Sequence, residues 1–178
     1  MATSISRKQG GGAVTEPEEE TVEWADVSLA EGNTGEVTMP KGTYNVSMSG
    51  GKGGISTGYY EGQFFTGYGG NGGSIKFTMT LEKTVTMAYA TGATAATWNT
   101  GDYGQASGWA NNGGATTFNG ITCTGGGGGY HSTNYGDGSS VNGGNGSVDY
   151  SNPTYPISDV STGTDGSGYL KITRVTTS

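Results

Sequence analysis

Glycine occupies 37 of the 178 positions, and 28 of the 37 lie between Gly50 and Gly146. This feature constrains the fold more than any other. A residue without Cβ weakens helix and strand alike, because it loses the most backbone freedom on folding. It also lets two backbones approach closely. Three stretches, 49–73, 91–114 and 125–147, are built in this way. Loops of that length are unusual in a compact domain unless they carry function or have structure of their own. Polyproline-II-like glycine strands are one such structure, since they need no Cβ and can bond to each other laterally.

The rest of the composition limits the core. Leu, Ile, Val and Phe together number 23, about 13% of the chain, below the roughly 20% of an ordinary aliphatic core. Disorder would pair low hydrophobicity with high net charge, whereas the net charge is only −7 and aromatics reach 10%, with 11 tyrosines. A thin core of aromatic and β-branched residues, with glycine-rich segments around it, is the expected outcome.

Period-two alternation marks the strands. Val37-Thr38-Met39, the turn Pro40-Lys41-Gly42 and Tyr44-Asn45-Val46-Ser47-Met48 read as strand, turn and strand. Ile75, Phe77 and Met79 alternate with Lys and Thr, and Val85, Met87 and Tyr89 repeat the pattern after Leu81-Glu82-Lys83, which reads as a hairpin. Residues 115–124 contain an Asn-Gly turn, and Gly168 to Val175 alternate again. No useful window has helical period. The expected fold is all-β: an antiparallel, sandwich-like core of short strands near 37–48, 74–89, 115–124 and 168–175. Long glycine-rich loops or polyproline-II-like glycine strands join them.

Residues 1–36 differ from 37–178. They hold eight of the fifteen acidic residues, including Glu16, Glu18, Glu19 and Glu20, and a Gly10-Gly11-Gly12 joint. This composition cannot repay its ordering entropy alone. The segment is therefore expected to attach or assemble, with Val22, Trp24, Val27 and Leu29 as its apolar contacts and residues 37–178 as the glycine-rich β domain.

Several function classes find no support in these residues. The pI near 4.5 and scattered basic residues argue against nucleic acid. No apolar run is long enough to span a bilayer. Met1 to Lys8 lack the apolar stretch of a signal peptide, so synthesis and assembly in a cytoplasm are expected. A Cys123–His131 pair is a poor catalytic candidate, and the carboxylates are dispersed. Lys52 follows Gly51, but Gly53 stands where a phosphate-binding loop needs a hydroxyl. Gly143 to Asp149 place Asp one residue late for a calcium nonapeptide. No catalytic residue, metal or cofactor is expected. The aromatics of the glycine-rich stretches remain. Tyr60, Phe65, Trp98, Tyr103, Trp109 and Tyr130 either fill the core or form a binding surface, where Tyr and Trp offer large area at low entropy cost. Sugars suit such a surface.

The order of pieces resembles the glycine-rich domain of bacteriophage tail and fibre proteins. The residues that carry the resemblance are Val37 to Gly54, then Gly69-Gly70-Asn71-Gly72-Gly73 leading into Ile75 to Tyr89. They continue with Gly113-Gly114-Ala115-Thr116-Thr117-Phe118, Gly125 to Gly129 and the closing Gly168 to Val175. The match spans roughly residues 35–175. It implies a non-enzymatic virion protein, a fibre or capsid-decoration component engaged in host-surface adsorption and assembled as a homotrimer. Its partners would be other virion proteins, copies of itself and a host-surface glycan. A self-assembling extracellular filament or surface-layer subunit and a secreted lectin-like module are the alternatives.

Overall fold

The computed structural model describes residues 22–99, 107–133 and 138–176. It is all-β, with no helix among the described residues. Two five-stranded antiparallel sheets face each other. The first runs β1 (Val27–Leu29), β16 (Tyr169–Arg174), β3 (Gly42–Ser49), β6 (Gly72–Leu81) and β15 (Ile157–Asp165). The second runs β14 (Val148–Asp149), β11 (Ile121–Cys123), β10 (Thr116–Phe118), β7 (Val85–Ala90) and β2 (Thr34–Met39). The alternating residues supply the core: Val46 and Met48, Ile75, Phe77 and Met79, Val85 and Met87, Leu170 and Ile172 are all buried. Tyr44, Met39, Phe118, Ile121 and Cys123 complete it.

The two expected hairpins are corners. β2 pairs with β7 and β3 with β6, so the chain changes sheets at Pro40-Lys41 and again between β6 and β7. A two-residue hairpin loop needs positive φ at one or both central residues. Proline fixes φ near −65°, so Pro40 cannot start such a loop. The hairpin between β10 and β11 is real. Asn119 and Gly120 have φ of 52° and 72°, the type I′ pattern.

The segment 1–36 does not separate at residue 36. β1 pairs with β16, β2 begins at Thr34, and Val27, Leu29 and Trp24 pack against the core. The Trp24 ring meets Tyr44 edge-on with centroids 5.1 Å apart. Val22 is half-buried. Trp24, Val27 and Leu29 therefore lie on the domain itself, and residues 1–21 of the expected attachment segment fall outside the described residues.

The stretches read as loops contain six short strands and a bundle of glycine segments. Six segments, 50–54, 68–71, 92–96, 110–114, 124–129 and 142–147, leave or enter the sandwich at one end. They bond to each other at every third residue. Gly50 and Gly53 donate to the carbonyls of Gly73 and Gly70, Gly126 and Gly129 to those of Gly51 and Gly54, and Gly143 and Gly146 to those of Tyr68 and Asn71. Three residues per turn is the polyproline-II period, and it leaves each N–H free to bond to a neighbouring segment. At the edge, Asn142 and Asn145 accept from the amides of Tyr68 and Asn71 through their side chains. Segments 50–54 and 124–129 sit centrally, each bonded to four others.

Candidate functional site

The glycine segments carry the chain from the sandwich to a second, smaller structure and back, three times over. One three-stranded sheet there runs β5 (Gln63–Gly67), β4 (Ser56–Tyr60) and β8 (Trp98–Asn99). The other runs β13 (Ser139–Val141), β12 (Tyr130–Ser132) and β9 (Ser107–Trp109). β12 packs on β4 and β5. This tip lies at the end of the molecule opposite Gly42, Leu81 and Arg174, which mark the base of the sandwich. Five of the six aromatics singled out from sequence belong to tip strands; Tyr103 lies outside the described residues.

The pleat divides those five. Trp98 lies opposite Ser56 in register and Phe65 opposite Gly58, and Tyr60 shares their side by period two. That side faces β12. The Trp98 and His131 rings stand 5.0 Å apart, and Phe65 fills the space where Gly138 lacks a side chain. Tyr60 and Phe65 are half-buried on that side, while Trp98, 37% exposed, lies at its margin with one ring face on His131 and Gly108. On the other sheet, Trp109, Tyr130 and Val141 lie side by side across β9, β12 and β13. Trp109 is 62% exposed and Val141 50%, with the Trp109 and Tyr130 rings 5.0 Å apart. This row forms an open face. Ser107, Ser132 and Ser139 form the next row on the same side. Sequence reasoning missed Val141 and the serines, because each tip strand is too short to show alternation.

Inside the tip, His131 is fully buried. Ser56 donates to the Gly108 carbonyl at 3.0 Å, and its oxygen lies 2.5 Å from His131 Nδ1. One hydroxyl proton serves one acceptor, so Nδ1–H donates to Ser56 Oγ. The three residues come from β4, β9 and β12 and tie the two small sheets together. Cys123 sits in the sandwich instead, where burial pushes its thiol up to about 12. The sole cysteine and sole histidine are thus held in separate parts of the fold.

Burial lowers the His131 pKa below its ordinary 6.5. The sign follows from linkage. Below pH 6.5 the unfolded chain binds this proton and the folded chain resists it, so stability falls with pH from about 6.5 down to the depressed folded pKa. The melting temperature should therefore drop between pH 7 and pH 5, and a folded His131→Gln variant should show a flatter profile. Parallel profiles would show that another group governs the acid loss.

No protein-family model matches the chain, and a search of the curated proteins finds no significantly similar sequence. The functional reading therefore rests on the geometry and on the resemblance noted from sequence.

Proposed function

We propose that this protein is a non-enzymatic virion component, a fibre or decoration protein that presents its tip to a host surface. One observation carries the reading: both ends of the described chain leave at the base while three excursions build the tip. Asp26 accepts from the Arg174 amide, and Val175 donates to the Thr43 carbonyl, which puts both ends beside the start of β3. A body anchored through its termini thus presents Trp109, Tyr130 and Val141 at the opposite end, with the glycine bundle as a stiff spacer. Five residues of polyproline-II extend about 15 Å. The bundle suits that task because each segment is bonded laterally rather than closed on itself. Anchoring runs through residues 1–21, and the assembly is a homotrimer, as the phage resemblance implies.

The adhesive surface is the row Trp109, Tyr130 and Val141, where an aromatic face stacks on a pyranose ring and the exposed Ser107 and Ser139 bond its hydroxyls. Exposed patches of this kind mark interaction sites. Trp109→Ala should weaken binding to host cells or their surface glycan by about 1–3 kcal/mol, the range of an interface anchor, with an unchanged melting temperature. Trp98→Ala should do the reverse, lowering the melting temperature because its ring packs on His131 and Gly108. Both quantities come from one set of variants. If Trp109→Ala binds as well as the parent, the tip is a passive spacer and the adhesive reading falls.

A further inference from the structure

The outer face of the first sandwich sheet carries a second site. Register places Ser28, Lys171, Ser47, Lys76 and Ser161 in one straight row across all five strands. The two lysines flank Ser47, two strand spacings apart, about 10 Å. Both are exposed in a chain of net charge −7. Their row crosses a groove of about 500 Å³ whose lining includes Asn45 and Tyr169. That volume suits one or two sugar rings. Lys171 Nζ lies 5.4 Å from the centre of the Tyr169 ring, and the Tyr169 hydroxyl bonds to Ser47 at 3.2 Å, so the middle of the row is preorganised.

One more residue points into this groove for a structural reason. The β15–β6 register shifts between Ser158 and Ser161, and Asp159 inside that bulge has φ of 51°. Bulges re-aim side chains, and strained non-glycine residues gather at functional sites. Here the bulge turns Asp159 into the lining. A carboxylate in the same lining as the two lysines disfavours a purely acidic peptide. It accepts hydrogen bonds from hydroxyls.

We propose that this groove binds a saccharide bearing a carboxylate, with Lys76 and Lys171 holding the carboxylate and Asp159 and Asn45 bonding ring hydroxyls. The site is separate from the tip and rests only on its own residues.

The test is an NMR titration of the full chain at low ionic strength with a galacturonate trimer, a hyaluronan tetrasaccharide and sialyllactose. Their carboxyl-reduced forms and hexaglutamate serve as comparisons. Shifts localised to the amides of Asn45, Ser47 and Lys76 are expected with at least one acidic saccharide. The carboxyl-reduced form should fail, and hexaglutamate should bind more weakly. Lys76→Gln and Lys171→Gln should each weaken binding about tenfold, the worth of one charge-assisted hydrogen bond. Trp109→Ala should leave it unchanged. The proposal is overturned if no acidic saccharide shifts these amides, if hexaglutamate binds as tightly, or if the lysine variants bind like the parent while still folded.

Discussion

Replacing Gly126 with alanine should cost about 4 kcal/mol or more, beyond the usual range of an overpacked core site. An alanine Cβ there would stand 1.9 Å from the Gly70 carbonyl oxygen. The obstacle is backbone, so no rotamer change relieves it. Gly70 is itself fixed: its carbonyl accepts from Gly53, and its N–H donates to Gly127. Gly126 in turn donates to Gly51 and accepts from Gly113. Making room for one methyl therefore means parting several segments and stretching bonds of 2.9 Å. Against a typical stability of 5–15 kcal/mol, the variant should melt roughly 10 °C or more below the parent, or not fold. Gly144→Ala is the control. A Cβ at Gly144 meets nothing within 4 Å, and removing chain freedom from the unfolded state there should leave stability level or slightly raised, by roughly 0.5 kcal/mol. Thermal denaturation of the two variants side by side checks this. Equal melting temperatures would refute the close-packed bundle.

Tyr44→Ala should be the most costly change in the sandwich, about 3–5 kcal/mol for a buried aromatic. Tyr44 is fully buried at the start of β3, with Trp24 against its ring. Its hydroxyl donates to the Pro40 carbonyl at 2.6 Å, which closes the corner where the chain changes sheets. Tyr44→Phe separates the two contributions. It keeps the ring but leaves that carbonyl without its partner, and should cost about 1–3 kcal/mol. Urea denaturation gives both values. If Tyr44→Phe is neutral, the hydroxyl is not what holds the corner.

The alternating runs were legible because a sandwich strand buries every second residue, and Ile75, Phe77, Met79, Leu170 and Ile172 write that period directly into the sequence. The Asn119-Gly120 turn was legible for a similar reason, since few other residue pairs accept its backbone. β15 was not. Its residues are almost all exposed, and its bulge at Asp159 breaks the alternation; the strand exists because β6 offers it a backbone edge. The tip strands were hidden for another reason: they run only two to five residues within glycine-rich sequence, too few to show alternation.

By itself, then, the sequence determined that this protein is all-β and which faces of its long strands are buried, and it left the glycine stretches as either loops or polyproline-II-like strands. Only the tertiary structure decided that β2 and β3 lie in different sheets, since two alternating runs joined by a short turn read alike as hairpin or corner. It alone decided that the Trp98 ring lies against His131 while Trp109 stands on the open face. Which side of a strand is covered depends on what packs against it, and the neighbours of these short strands come from distant parts of the chain. The glycine bundle shows the division most clearly. Composition permits close approach at many positions, but the lateral bonds between distant segments set which glycines touch backbone, as Gly126 does, and which, like Gly144, face open space.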